Sequence, residues 1–189
     1  MNVSGGTHHA FADRGEGFCL LNDIATAANV LLRDELAKRI LIVDLDVHQG
    51  NGTAAIFKDH PEVCTFSMHC GGNSPMDKET SHLDIALPPG TTDELFLSQL
   101  KVTLPRLMDQ FQPDFAFYLS GVDVLATDKL GRMAMTREGC KQRDRFVLET
   151  MKLANIPLTI SMGGGYSPHI KDIVEAHCNT FRLAAEIWG

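Results

Sequence analysis

The sequence lacks the features of a membrane, secreted or nucleic-acid-binding protein. No apolar run approaches the roughly 20 residues of a membrane-spanning helix, and residues 1–6 have neither the basic nor the apolar part of a secretory signal. The five cysteines are odd in number and form no Cys-x-x-Cys pair, which indicates a reducing compartment rather than a disulfide framework. The formal net charge of -7 disfavours direct nucleic-acid binding. We therefore expect a cytoplasmic protein without membrane or nucleic-acid partners.

The sequence does contain alternating helical and strand-like segments. Apolar spacing predicts four long helices, over about 20–38, 93–111, 136–153 and 168–185. Runs rich in β-branched and aromatic residues predict strands over 40–43, 63–68, 115–119 and 157–161. Asn22 or Asp23 is expected to cap the first helix, Pro105 to kink or break the second, and Pro168 to begin the last. With no repeat or linker, residues 1–189 are interpreted as one α/β domain with a mostly parallel sheet.

Acidic residues and a histidine follow the first predicted strand. Asp44, Asp46 and His48 alternate, so they project together if the chain stays extended. Asp123 follows the third strand, and parallel strands gather their ligands at one edge. Asp46, His48 and Asp123 offer a nitrogen and two carboxylates, as in catalytic zinc sites with an open water position; Fe²⁺ or Co²⁺ fits the same set. The alternative is that these residues form turns or a helix cap.

Two histidines and a tyrosine lie near glycines. One of His8 and His9 could take a proton from water and pass it to a leaving amine, while the other stays protonated. Asp44 is a candidate for orienting a histidine. Tyr166 follows three glycines after the fourth predicted strand and could donate to an oxyanion. The alternatives are surface histidines and a half-buried tyrosine in a flexible loop; Phe18 could line a channel or belong to the core.

These segments together resemble the histone deacetylase family. The matching motifs follow the family's order and span nearly the whole chain, at residues 6–9, 15–23, 43–52, 67–69, 121–123 and 163–166. Residues 49–52 and 128–131 are most similar to the class IV branch and its bacterial members. The resemblance implies an arginase-like fold, with a three-layer, mostly parallel sheet flanked by helices. It also implies zinc-dependent hydrolysis of an N-acyl amide, with acyl-lysine in a protein or peptide as the expected substrate.

The resemblance assigns catalytic and metal-binding positions. The implied zinc ligands are Asp46, His48 and Asp123. The implied catalytic residues are His8, His9, Asp44, Asn51 and Tyr166. His9 is expected to act as general base and then acid, with His8 as its electrostatic partner backed by Asp44. Tyr166 is expected to donate to the substrate carbonyl and the oxyanion.

The resemblance also assigns substrate and potassium positions. The implied substrate-binding residues are Gly17, Phe18, Leu130 and Gly164, with Phe18 along the acyl-lysine channel and Leu130 near its rim. A structural potassium ion is implied beside the zinc, held by Asp44, Ser67 and Met68 together with backbone oxygens of Asp46 and His48. A second, outer potassium site is implied at Phe57, His60 and Val63.

Two departures from the family pattern lead to further expectations. Many members have an aspartate behind the second histidine where this chain has Asn51, and an amide supports an imidazolium less well, so His9 is expected to be less basic. Family members also carry a substantial segment before the catalytic histidines, so the domain is expected to be N-terminally truncated, with a bare sheet edge. The alternatives are an acylpolyamine or small-amide amidohydrolase, and an inactive domain that forms homo-oligomers through that edge.

Overall fold

A parallel sheet forms the centre of the computed structural model, which describes residues 2–3 and 5–189. In this part of the chain the sheet has five strands in the order β3-β2-β1-β4-β5, and every neighbouring pair is parallel. The strands are β1 (Ile40–Asp44), β2 (Val63–Cys70), β3 (Leu83–Leu87), β4 (Phe115–Ser120) and β5 (Leu158–Met162). The helices are α1 (Asp23–Arg33), α2 (Asn51–Phe57), α3 (Asp93–Phe111), α4 (Arg137–Leu153) and α5 (Ile170–Trp188).

The sheet is packed on both faces, which explains why β1 is apolar and buried at every position. Ile40 and Ile42 pack on one face with residues of α1 and α2. Leu41 and Val43 pack on the opposite face with residues of α3, α4 and α5. The predicted three-layer α/β fold is therefore confirmed. None of the helices in the described ranges is both long and apolar enough to cross a membrane.

Several predicted element boundaries and breaks differ from the structure. The expected break at Pro105 is wrong, because α3 continues through it; buried leucines on both sides, Leu104 and Leu107, hold the helix against the core. Pro168 does not begin the last helix, because His169 is still extended and α5 begins at Ile170. The elements α2 and β3 are additions that the apolar pattern did not predict.

The two polar residues at the start of α1, Asn22 and Asp23, have different partners. Asn22 is the helix cap, since its side chain accepts a hydrogen bond from the backbone N–H of Ala25 at 2.9 Å. Asp23 instead accepts from the backbone N–H groups of Gly6 and Thr7, at 3.0 and 2.9 Å. The segment that carries the two adjacent histidines is thereby fastened to the start of α1.

The edge of the sheet beside β5 is partly paired. Asn2 forms a parallel bridge with Ser161, donating its backbone N–H to Ile160 at 2.8 Å and accepting from Met162 at 3.2 Å. The expected bare edge is therefore occupied by one residue of the N-terminal segment.

Candidate active site

Three predicted metal ligands meet at the carboxyl ends of β1 and β4. Asp46 and His48 lie in the loop after β1, and Asp123 lies just after β4. One possible ligand atom from each lies within 4.8 Å of those of the other two. The Nδ1 atom of His48 is 3.1 Å from Asp46 Oδ1 and 3.2 Å from Asp123 Oδ2. The adjacency of β1 and β4 brings together residues 75 positions apart in the sequence.

Backbone amides orient both carboxylates. Val47 donates its N–H to Asp123 Oδ1 at 3.0 Å, and Gly164 donates its N–H to Asp46 Oδ2 at 3.0 Å. The other oxygen of each aspartate is the one that approaches His48 Nδ1. A Cβ on Gly164 would lie 2.0 Å from Asp123 Oδ2, so only glycine allows this loop to approach so closely. In the triad of Asp46, His48 and Asp123, backbone amides therefore hold one oxygen of each aspartate and leave the other directed toward His48.

The donor set fits a divalent cation. Asp46 and Asp123 are 2% and 1% exposed, and two such carboxylates repel each other unless a positive charge lies between them. Burial and the charge of Asp46 raise the pKa of Asp123 to about 7. Burial alone lowers the pKa of His48, but hydrogen bonds to Asp123 and Asp46 raise it to about 10. One imidazole and two carboxylates are ligands that zinc accepts with a position left open.

The adjacent histidines have different partners. His8 Nδ1 lies 2.6 Å from Asp44 Oδ2, whereas His9 Nδ1 lies 2.7 Å from Asn51 Oδ1. Burial opposes the protonation of His8, but the charges of Asp44 and Asp46 raise its pKa to about 9. Burial and the charge of His8 lower the pKa of His9 to about 4. These opposite shifts favour a charged imidazole at His8 and a neutral one at His9 at neutral pH.

A cleft of about 420 Å³ opens over the triad. Its wall includes both histidines, the three possible ligands and all four predicted substrate-binding residues: Gly17, Phe18, Leu130 and Gly164. Tyr166 also lines it, with its ring centroid 6.4 Å from that of Phe18. Burial and the charges of Asp123 and Asp46 raise the pKa of Tyr166, so its phenol keeps its proton. The cleft thus contains a hydrogen-bond donor, the Tyr166 hydroxyl, and apolar side chains near the three possible metal ligands.

Asp128 is a positioning residue that the sequence did not reveal. Its Oδ2 accepts a hydrogen bond from the backbone N–H of Tyr166 at 2.6 Å. Its Oδ1 accepts from the N–H groups of Leu130 and Gly131, each at 2.8 Å. One carboxylate therefore holds two loops of the cleft together. The sequence signal that could have identified Asp128 is its spacing to Gly131, which is typical of a turn.

Arg143 is a second residue that sequence reasoning missed. It is fully buried on α4, and its Nη1 donates to the backbone oxygens of Leu45 at 3.0 Å and Gly121 at 2.7 Å. These carbonyls adjoin the loops that carry Asp46 and Asp123, so the guanidinium links the two halves of the triad. The sequence signal for its burial is that Arg143 lies at helical spacing from the apolar residues Cys140 and Val147, and so on the same face of the helix.

The predicted potassium positions are near the site but stay predictions. Asp44 and Ser67 are register partners on β1 and β2, with Met68 next along β2. Ser67 Oγ lies 3.0 Å from His69 Nδ1. The predicted outer site lies in one turn, where His60 donates its N–H to Phe57 and Val63 donates to His60.

Gly17 allows the loop before Cys19 to lie against His9. The backbones of Glu16 and Cys19 exchange two hydrogen bonds, and both residues between them have positive φ. A Cβ on Gly17 would lie 2.5 Å from a carbon of the His9 ring. A side chain at this position therefore has to displace the imidazole.

We expect Gly17→Ala to lower the metal-dependent amide hydrolysis that the sequence resemblance implies by about 10- to 100-fold, since small displacements of a catalytic group are costly. Steady-state kinetics of amide hydrolysis measure the effect. Gly90→Ala is the control, because Gly90 also has positive φ but a Cβ there meets no atom within 4 Å. Equal turnover in the two variants would contradict the close-approach argument.

The chain matches one family model and known proteins over nearly its whole length. The model of the histone deacetylase domain matches residues 1–181. An uncharacterised protein of Picosynechococcus sp. is 49% identical over 187 residues, covering 99% of this chain and 62% of that protein. Histone deacetylase 2 of Arabidopsis thaliana is 32% identical over 169 residues, covering 88% of this chain and 44% of that protein. The chain therefore spans about half the length of these relatives.

A solved structure shows the same fold. The crystal structure of acetylpolyamine aminohydrolase from Burkholderia pseudomallei superposes with a TM-score of 0.82 at 26% identity. The superposition covers 97% of this chain and 55% of that one.

Proposed function

This chain belongs to the histone deacetylase family, and from this we propose that it hydrolyses N-acyl amides in the cleft over Asp46, His48 and Asp123. The carrying observation is the combination within one cleft of a divalent-ion donor set, two adjacent histidines with different hydrogen-bond partners, and a tyrosine phenol. The expected substrate is acyl-lysine in a protein or peptide.

The chain's own groups have distinct tasks in this reaction. Asp46, His48 and Asp123 would hold a zinc ion, and when bound it would polarise the acyl carbonyl and acidify water. His9 accepts a proton from water at Nε2 as the water oxygen attacks the carbonyl carbon, and later delivers that proton to the departing amine. His8, held by Asp44, keeps positive charge beside the reaction, and Tyr166 donates its hydroxyl hydrogen to the carbonyl oxygen. The products are a carboxylic acid and a free amine.

The mouth of the cleft supports an aliphatic amine substituent. Phe18 is 92% exposed, and Leu130 and Tyr166 are 45% and 40% exposed. These apolar groups suit the methylene chain of an acylated lysine. The peptide backbone of such a substrate would stay outside the cleft.

An acylated polyamine is the second candidate substrate. The structural similarity to an acetylpolyamine aminohydrolase supports it, as does the net charge of -7, which attracts polycations. Acetyl-lysine and acetylpolyamine both present a primary amine capped by an acyl group, so the chemistry is shared and only the rest of the substrate differs.

A substrate panel tests the proposal. The purified chain is loaded with Zn²⁺, Fe²⁺ or Co²⁺ and offered acetyl-lysine peptide, myristoyl-lysine peptide and acetylpolyamine, with His9→Gln as the matched control. Metal-dependent release of amine by the wild type and its loss in His9→Gln support the proposal. A metal-free, inactive, self-associated chain would overturn it and favour a purely interacting domain.

A further inference from the structure

Glu16 contacts the side-chain amide of Asn51, and that amide in turn contacts His9. We propose that Glu16 is a positioning residue that orients the Asn51 amide, so that His9 carries its hydrogen on Nδ1 and leaves Nε2 free. The inference rests on the proposed function, since it concerns the group expected to accept the proton from water.

Three side chains form a continuous hydrogen-bonded row. Asn51 Nδ2 donates to Glu16 Oε1 at 2.6 Å, and Asn51 Oδ1 lies 2.7 Å from His9 Nδ1. Asn51 is only 2% exposed and begins α2, so its side chain has few alternative partners. The two backbone hydrogen bonds between Glu16 and Cys19 fix the main chain from which the carboxylate extends.

The chemistry of the outer partner decides which way the amide points. An amide can turn over and present either its oxygen or its nitrogen to a neighbour with little change of shape. An ionised carboxylate only accepts hydrogen bonds, so Glu16 requires the nitrogen of Asn51. The oxygen then faces His9 and accepts from Nδ1–H, which places the lone pair on Nε2.

This role follows from the presence of an amide at position 51. An aspartate there would accept from His9 Nδ1 with either oxygen and would need no orienting partner. Without Glu16, Asn51 can turn its nitrogen toward His9 Nδ1 and favour the opposite tautomer, in which Nε2 carries the hydrogen. That tautomer cannot accept a proton from water at Nε2. Glu16 therefore compensates for the amide, although its side chain is 40% exposed and the interaction is partly screened by solvent.

The first test measures the tautomer and requires no catalysis. Two-bond ¹H–¹⁵N spectra of the ¹⁵N-labelled full chain at pH 8, with and without zinc, distinguish Nδ1–H from Nε2–H, and His9→Gln assigns the signal. We expect Nδ1–H in the wild type and a shift toward Nε2–H in Glu16→Ala. Asp13→Ala is the matched control, since it removes an exposed acid of the same loop whose contact is with Arg14. An unchanged His9 tautomer in Glu16→Ala would overturn the proposal.

The second test is a double-mutant cycle on kcat with the substrate from the panel. We expect Glu16→Ala to lower kcat at least about fivefold with little change in KM, since a wrong tautomer removes general-base catalysis. In the Asn51→Asp background the same substitution should cause no loss. Equal losses in both backgrounds would reject the orienting role. If the wild type hydrolyses no amide, the proposed function fails, while the tautomer measurement still decides the role of Glu16.

Discussion

Replacing Asp123 with alanine is expected to weaken zinc binding by at least about 100-fold, because even loss of an outer partner of a ligand costs 10- to 100-fold. The variant leaves one carboxylate and one imidazole, too few to hold zinc with an open position. Isothermal titration with Zn²⁺ and metal analysis of the purified chain measure the loss. Turnover should fall with it, since every step of the proposed reaction depends on the bound cation.

Two control variants separate metal loss from general damage. Asp123→Asn keeps an oxygen for the backbone N–H of Val47, so the loop stays oriented while the second carboxylate charge is removed. Asp128→Ala removes an aspartate that accepts hydrogen bonds from the backbone of two cleft loops, and zinc affinity should be kept. Full zinc occupancy in Asp123→Ala would show that Asp123 is not a ligand.

Tyr166→Phe is expected to lower kcat by about 100-fold, the usual cost of removing one donor to a developing oxyanion. The substitution removes a hydroxyl group and keeps the ring beside Phe18, so KM and zinc affinity should change little. Because Tyr166 is 40% exposed, stability should also be nearly unchanged. Steady-state kinetics with parallel zinc titration test this result, and unchanged kcat would remove the assigned role.

The chain's other tyrosine offers a matched control. Tyr118 is fully buried on β4, donates its hydroxyl to Asp144 at 2.6 Å, and is not among the residues that line the cleft. Tyr118→Phe should therefore cost about 1–3 kcal/mol of unfolding free energy, because the buried Asp144 carboxylate loses one of its donors and keeps those from Arg143 and Thr180. Its effect on kcat should be small. The two variants together separate a hydroxyl used in the reaction from one used in folding.

Much of the fold could be predicted because the signals are local. Ile40-Leu41-Ile42-Val43 is a continuous apolar run, and such a run is buried on both faces wherever it lies in a parallel sheet. The short helix α2 carries few large apolar side chains, and β3 is a half-exposed edge strand, so neither has a strong pattern. Pro105 does not break α3, because packing of the helix against the core outweighs one missing backbone hydrogen bond, and the kink stays a prediction.

For the candidate site, motif order predicted which residues lie at the cleft but not which atoms they present. The roles assigned to His8 and His9 stay predictions. Their partners, Asp44 and Asn51, are more than thirty residues away in the sequence, at 36 and 42 positions. No periodicity in the sequence relates such residues, because their contact depends on how the first loop folds over the carboxyl end of β1.

The sequence by itself determined the alternation of strands and helices and the residue types available for chemistry, because hydrophobic spacing and motif order are properties of neighbouring residues. Only the tertiary structure decided that Asp128 holds two loops, that Arg143 joins the two halves of the triad, and that Glu16 faces the nitrogen of Asn51. Each of these depends on the direction of a hydrogen bond between distant segments, and that direction exists only once the sheet has brought them together.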